Sequence, residues 1–189
     1  DGCRKAAVFP SLAFLSIHAA PALADEYADT VKVFEQAGAS GKFFKGTRGY
    51  AVFPTIGKGG VGIGGAYGKG RVYEQGRHIG DVSMTQVSLG WQLGGQAYSE
   101  IIFFEDQRAL REFTSGNFEF GAGVSAVAIT AAAGAQASTG GSSAGASGGK
   151  HDATTVGGYY KGMATFTVAK GGLMYEASVA GQKFSYTPR

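Results

Sequence analysis

Glycines at positions 60, 62 and 65 satisfy G-x-G-x-x-G, the spacing of dinucleotide-binding loops. In those loops the glycines open a helix whose N-terminus faces a pyrophosphate. Here they are followed by AYGKG at 66–70, and so glycine-rich a run does not start a helix of useful length. A phosphate loop also fails, because glycine rather than Ser or Thr follows Lys69. The spacing therefore indicates a strand with one bare face, open to close approach by another element or a ligand.

Residues suited to catalysis or metal binding are sparse in this chain. Hydrolysis needs a nucleophile, a base and an orienting group, and beyond residue 24 the histidines are His78, beside a turn, and His151. The single cysteine is Cys3, so no His/Cys spacing of a metal site exists. The one local acid cluster, Glu100 with the acids at 105–106, fits the polar face of a strand and the start of a helix. We expect no enzymatic activity, no metal and no cofactor.

Positive charge is concentrated between residues 42 and 77, where Glu74 is the only acid. The basic residues are Lys42, Lys45, Arg48, Lys58, Lys69, Arg71 and Arg77. Near an anionic surface, each exposed basic side chain contributes about 1 kcal/mol of attraction. The alternative is that these side chains are scattered over several faces. The net charge of +3 is too small to indicate nucleic-acid binding.

Two adjacent aromatics, Phe43 and Phe44, lie inside this basic segment. One interpretation is that both rings anchor a loop or strand in the core. The other is an interfacial patch, in which the rings enter lipid while Lys42, Lys45 and Arg48 meet head groups.

The composition favours strands and turns, with 33 glycines, 13 phenylalanines and 9 tyrosines in 189 residues. Apolar spacing predicts a helix over 25–38, and the acids at 105–106 predict a second, short helix that Gly116 ends. A strand should end at Pro54, residues 68–70 should form a turn, and 101–104 should lie in a central strand. The chain is thus expected to form an α+β domain, mainly an antiparallel sheet of about eight strands, with two short helices. Closure of the sheet into a barrel-like form is one arrangement of these strands.

The first 24 residues have the pattern of a cleavable signal peptide. Arg4 and Lys5 precede an apolar run at 6–17, and Ala-Leu-Ala at 22–24 is a cleavage site of the A-x-A type. We therefore expect one domain over 25–189, exported across the inner membrane to the periplasm or envelope. An Ala/Gly/Ser-rich stretch around 134–150 is expected to be a flexible loop.

Five blocks of sequence resemble the SYLF-domain family. They are GYAVFPTIGKGGVGIGGAYG at 49–68, LGWQLGGQ at 89–96, IIFF at 101–104, FEFG at 118–121 and KGGLMYE at 170–176. The resemblance extends over nearly all of 25–187. It implies binding of acidic phospholipids through basic residues, and in some eukaryotic members contact with actin. It supplies no catalytic motif and leaves the lipid head group open.

The residues and the resemblance together predict a non-enzymatic protein that binds anionic phospholipid in the bacterial envelope. The expected lipid-binding residues are Lys42, Phe43, Phe44, Lys45, Arg48, Lys58, Lys69 and Arg71. The alternative is a structural or protein-interaction module, which self-associates or docks a partner through the glycine-faced strand. A ligand carrier with an apolar cavity beneath the sheet is a third hypothesis.

Overall fold

The computed structural model describes residues 25–61, 63–89, 96–121, 124, 126–129, 159, 161–170 and 179–189. The signal segment at 1–24, the loop around 134–150 and His151 lie outside these residues.

The described elements begin with helices and continue mainly as strands. Helix α1 is Glu26–Gln36, α2 is Gly38–Gly41, and a 3-10 helix spans Lys42–Lys45. The strands are β1 (Gly49–Val61), β2 (Ile63–Glu74), β3 (Arg77–Leu89), β4 (Gln96–Phe104), β5 (Asn117–Glu119), β6 (Val127–Ile129), β7 (Met163–Lys170) and β8 (Lys183–Pro188). Helix α3 (Gln107–Phe113) lies between β4 and β5.

All eight strands belong to one sheet, in the order β5-β8-β3-β2-β1-β4-β7-β6. The pairs are antiparallel except for β6 with β7, which is parallel. Strands β5 and β6 are the two edges, so the sheet is not closed and the barrel-like expectation is wrong. The α+β class and the eight-stranded, mainly antiparallel sheet are confirmed, with three short α-helices instead of two.

Both predicted helices form, and each begins with an aspartate cap. The Asp25 carboxylate accepts a hydrogen bond from the backbone N–H of Tyr27 at 3.0 Å. Asp106 accepts one from the N–H of Ala109 at 2.9 Å. These carboxylates satisfy donors that have no partner within the helix. Among the described residues, no helix combines the length and apolar character needed to span a membrane.

Strands β1 and β2 are longer than the sequence pattern predicted. Strand β1 runs through Pro54 to Val61, and its pairing with both neighbours shifts register there, so a bulge accommodates the missing N–H of proline. Residues 68–70, expected to form a turn, lie inside β2 and pair with β1 and β3. The turn prediction is wrong because the glycines serve packing rather than chain reversal.

The two faces of the sheet carry separate apolar clusters. The α3 face, which includes Ala51, Phe53, Ile56 and Val72, packs on α3 through Leu110 and Phe113. The α1 face carries Val52, Ile101 and Phe103, and packs on α1 through Phe34. Strand β4 is buried on both faces, as the sequence at 101–104 predicted.

Gly64, Gly68 and Gly70 of β2 face the core, while Ile63 and Tyr67 of the same strand face solvent. A Cβ on Gly68 would lie 2.6 Å from Ile56 Cγ1, and one on Gly70 would lie 2.7 Å from the Phe53 ring. Only glycine leaves room for these core side chains. Ile63 and Tyr67 project from the opposite face and are 70% and 52% exposed. Close approach to the bare face does occur, and the approaching groups are side chains of β1.

Candidate functional site

The basic residues singled out in the sequence do not converge on one surface. Lys42 and Lys45 are exposed on the 3-10 helix, over the end of the sheet where β1 begins. Lys58 pairs with the buried Ala66 and therefore lies on the α3 face. Lys69 and Arg71 lie on the opposite, α1 face. The scattering that the sequence left open is thus observed for Lys58 relative to Lys69.

Phe43 and Phe44 anchor the 3-10 helix to the core. Phe43 is 7% exposed, and its ring centroid lies 5.5 Å from that of Phe103 and 5.1 Å from that of Phe166. Phe44 is half-buried, with its centroid 4.9 Å from Phe103 and 5.4 Å from Tyr50. Insertion of Phe43 into lipid does not fit this position, because the ring would first have to leave the core. The core-anchor interpretation therefore describes both rings better.

Arg48 and Arg71 have partners within the protein. The guanidinium of Arg48 donates to Glu74 Oε1 from Nε at 2.9 Å and from Nη2 at 2.6 Å. The Arg71 guanidinium lies 4.0 Å from the Tyr27 ring centroid and 3.6 Å from an Asp25 carboxylate oxygen. A hydrogen bond with the Tyr73 side chain is the main effect that raises the pKa of Arg71, so its cation is stable. Arg71 thereby fastens the start of α1 to the sheet.

Beyond α1, the α1 face of the sheet is open to solvent. We call this part the open sheet surface: Thr55, Gly57, Gly59, Ile63, Gly65, Tyr67, Lys69, Ser83, Thr85, Val87, Ala97, Lys170 and Lys183. These residues share a face because direct cross-strand partners in a sheet point to the same side. Most of them are exposed and none is buried.

Apolar side chains form the centre of the open sheet surface. Among the described residues, the large apolar side chains that are exposed are Val33 on α1 and three here: Ile63, Tyr67 and Val87. Val87 is 77% exposed and pairs with Gly65, which places Ile63 and Tyr67 diagonally beside it, at a Cα separation of roughly 7–8 Å. Clustered apolar exposure of this kind is typical of a contact surface.

Lysines flank this centre on both sides. One cross-strand row runs Lys170, Ala97, Gly57, Tyr67, Thr85, Lys183. Its five strand spacings of about 4.8 Å separate the end positions by about 24 Å. Lys69 lies in the next row, and Lys170 Nζ donates to Thr55 Oγ1 at 2.8 Å. No acid is among the residues that define the open sheet surface, but two exposed acids share its face: Glu119 on β5, opposite Lys183, and Asp81, two residues before Ser83.

Lys170 and Lys183 were missed by sequence reasoning because they lie far along the chain from the basic segment at 42–77. The alternation around Phe184 shows that Lys183 faces away from the core, so its orientation could have been predicted. Its position beside Thr85 could not, because that depends on the pairing of β8 with β3.

Glu100 was expected on a polar strand face, and that expectation is wrong. Its side chain is completely buried on the α3 face. Gln182 Nε2 donates to Glu100 Oε2 at 2.9 Å and approaches Tyr98 Oη at 3.3 Å. Oε1 of Glu100 and Oε1 of Gln182 have no hydrogen-bond partner among the described residues. Burial, opposed in part by the Gln182 hydrogen bond, raises the pKa of Glu100 to about 8.

His78 is held in a small polar cluster at the start of β3. Its Nε2 lies 2.9 Å from Asp81 Oδ1, and its Nδ1 lies 2.8 Å from Arg189 Nη1. A guanidinium can only donate, so Nδ1 accepts and the proton is on Nε2. Within the described part of the chain, no group of three or more His, Cys, Asp or Glu side chains could hold a metal ion.

Comparison with known proteins gives one family match. Residues 85–187, more than half of the chain, match the family model Ysc84, described as "Las17-binding protein actin regulator". No curated protein matches the chain. The matched region begins at Thr85 within β3, includes β4, α3 and β5–β7, and ends at Thr187 within β8.

Proposed function

The chain belongs to the Ysc84, or SYLF, family, and on this premise we propose that it acts without enzymatic chemistry, by associating with anionic phospholipid surfaces of the bacterial envelope. Lipid is the partner class that the charge pattern favours. Location in the envelope follows from the signal-like segment at 1–24 and is part of the proposal.

The observation that carries this proposal is the presence of exposed lysines beside exposed apolar side chains. Lys69 lies on the same face as Tyr67 and Val87, and neither it nor Lys183 forms an ion pair with a described residue. A cation and an apolar group on one surface match the two layers of a membrane interface, where head groups are anionic and the region beneath is apolar.

Co-sedimentation of the full chain with vesicles tests this function. One set contains phosphatidylcholine alone, and the other contains phosphatidylcholine with phosphatidylglycerol. We expect sedimentation with the anionic vesicles at low salt and little with the neutral ones. If the protein stays in the supernatant with both sets at low salt, the proposed function is wrong.

A second candidate function is docking of a protein partner or a second copy on the glycine-rich part of the sheet. It is favoured by Gly57 and Gly59, which are not fully buried and whose Cβ positions meet no atom within 4 Å. Strand β2 is paired on both sides along its length, so docking along its edge is not available and only the face remains. This function predicts self-association or protein capture that salt does not weaken.

A further inference from the structure

Two surfaces of this protein could lie against a membrane, and their charge differs. The first is the helix end, formed by Lys42 and Lys45 with the exposed side of α1. That helix also exposes Lys32 and the three acids Glu26, Asp29 and Glu35. An anionic lipid surface would attract the three lysines and repel the three carboxylates. The helix end is therefore close to neutral in its attraction to lipid.

The second surface is the open sheet surface, whose described residues are lysines, small or polar residues and exposed apolar side chains. Lys69, Lys170 and Lys183 contribute positive charge there, and two exposed acids border them on the same face: Glu119 opposite Lys183, and Asp81 two residues before Ser83. The open sheet surface thus keeps an excess of positive charge, whereas the charges of the helix end balance, so an anionic partner fits the open sheet surface better.

The exposed glycines provide a separate reason to assign contact to this surface. Gly68 and Gly70 are required by the packing of Ile56 and Phe53, as described above. Gly57 and Gly59 have no such reason, since a Cβ at either position would enter open space. Glycine inside a strand costs about 0.5–1 kcal/mol relative to alanine. Packing inside the protein therefore does not explain the free-energy cost of glycine at positions 57 and 59, which keeps this part of the surface flat.

We propose that the open sheet surface contacts anionic phospholipid at the end of the sheet away from α1, with Ile63, Tyr67 and Val87 in the interface and Lys69, Lys170 and Lys183 on the head groups around them. This inference rests on the proposed function and adds its location. Helix α1 packs on the same face at the other end of β1, so the sheet tilts in this arrangement and the helix end, including the segment 42–48, stays off the head groups.

Environment-sensitive labels at single cysteines test the orientation directly. The full chain in a Cys3→Ser background would carry Thr85→Cys on the open sheet surface, Gln36→Cys on α1, or Ser115→Cys beyond α3. All three positions are exposed. With vesicles containing phosphatidylglycerol, we expect the label at position 85 to report an apolar environment, while labels at 36 and 115 stay in water. A response at 36 without one at 85 would overturn the inference.

Paired charge neutralisation gives an independent test with a matched control. Lys69→Gln with Lys183→Gln removes two lysines of the open sheet surface, and Lys42→Gln with Lys45→Gln removes two from the helix end. At low salt we expect about a fivefold loss of vesicle affinity for each sheet lysine, roughly 25-fold for the pair. The helix-end pair should change the affinity less than about twofold.

The two tests separate the location from the function. Binding of the wild-type chain with equal losses for the two pairs, or a greater loss for the helix-end pair, leaves lipid association intact and refutes the location. Absence of binding by the wild-type chain refutes both. All four substitutions are at exposed positions, so we expect each variant to fold. An unchanged far-ultraviolet circular dichroism spectrum would show that it has folded.

Discussion

Glu100 should make the stability of this protein fall as pH rises, and Glu100→Gln should remove that effect. Burial of the carboxyl raises its pKa from an ordinary value of 4.5 to about 8. Each pKa unit corresponds to about 1.4 kcal/mol. The shift of Glu100 therefore changes the free energy of unfolding by about 5 kcal/mol across the full pH range.

The sign follows from proton binding. Between pH 4.5 and 8 the unfolded chain releases the Glu100 proton while the folded chain keeps it. The folded state then binds more protons, and its stability decreases with increasing pH. The contribution of Glu100 to the free energy of unfolding is fully present below about pH 4.5 and is lost progressively up to about pH 8. Above about pH 8 it no longer changes with pH.

Urea unfolding of the wild type and Glu100→Gln at pH 5 and pH 9 measures this difference. Glutamine cannot ionise, and its amide can accept from Gln182 Nε2 as Glu100 Oε2 does. From pH 5 to pH 9, we expect the free energy of unfolding of the variant to rise by several kcal/mol relative to that of the wild type. Glu119→Gln, an exposed acid on β5, serves as the control for loss of a surface carboxylate. A difference between wild type and Glu100→Gln that is the same at both pH values would refute the reasoning.

Three further predictions concern packing, and urea unfolding measures each. Gly70→Ala should destabilise by about 1–3 kcal/mol because its Cβ would overlap the Phe53 ring, whereas Gly57→Ala should be neutral or stabilising by up to about 1 kcal/mol; equal effects would contradict the two-face account. Phe43→Ala should cost about 3–5 kcal/mol as a core residue, and a cost below about 1 kcal/mol would contradict its anchoring role. Arg71→Gln should cost about 1 kcal/mol by releasing the Tyr27 ring, and no change would show that α1 is held without it.

Local patterns predicted the helices well because their signals are close in sequence. Asp25 and Asp106 are short-range caps, and the apolar spacing of Phe34 with its neighbours fixes the buried side of α1. The central position of the strand at 101–104 also followed from its apolar residues on both faces. Such features depend on residues within one or two turns of each other.

The β1–β2 hairpin shows where local patterns fail. Pro54 and the glycines at 68–70 are common at strand ends and turns, but here a bulge and two core side chains use them within long strands. Alternation in β2 was visible in the sequence, yet which side faces the core was set by Ile56 and Phe53 on the neighbouring strand. Tertiary packing therefore decided both the boundaries and the orientation.

The candidate site depended still more on long-range pairing. Lys69 was among the expected lipid-binding residues and lies on the open sheet surface. Lys170 and Lys183 reach the same surface only through strands β7 and β8. Conversely, Lys58 is close to Lys69 in sequence but faces the other side of the sheet. Charge density along the chain could not distinguish these cases.

Association with anionic phospholipid is tested most directly by the affinity of the full chain for phosphatidylglycerol-containing vesicles as ionic strength rises. The Debye length shortens from about 10 Å at 0.1 M salt to about 3 Å at 1 M. We predict clear binding at low salt that weakens steadily over this range, because lysine contacts with head groups supply much of the attraction. Binding that salt leaves unchanged, or no binding at low salt, would contradict it.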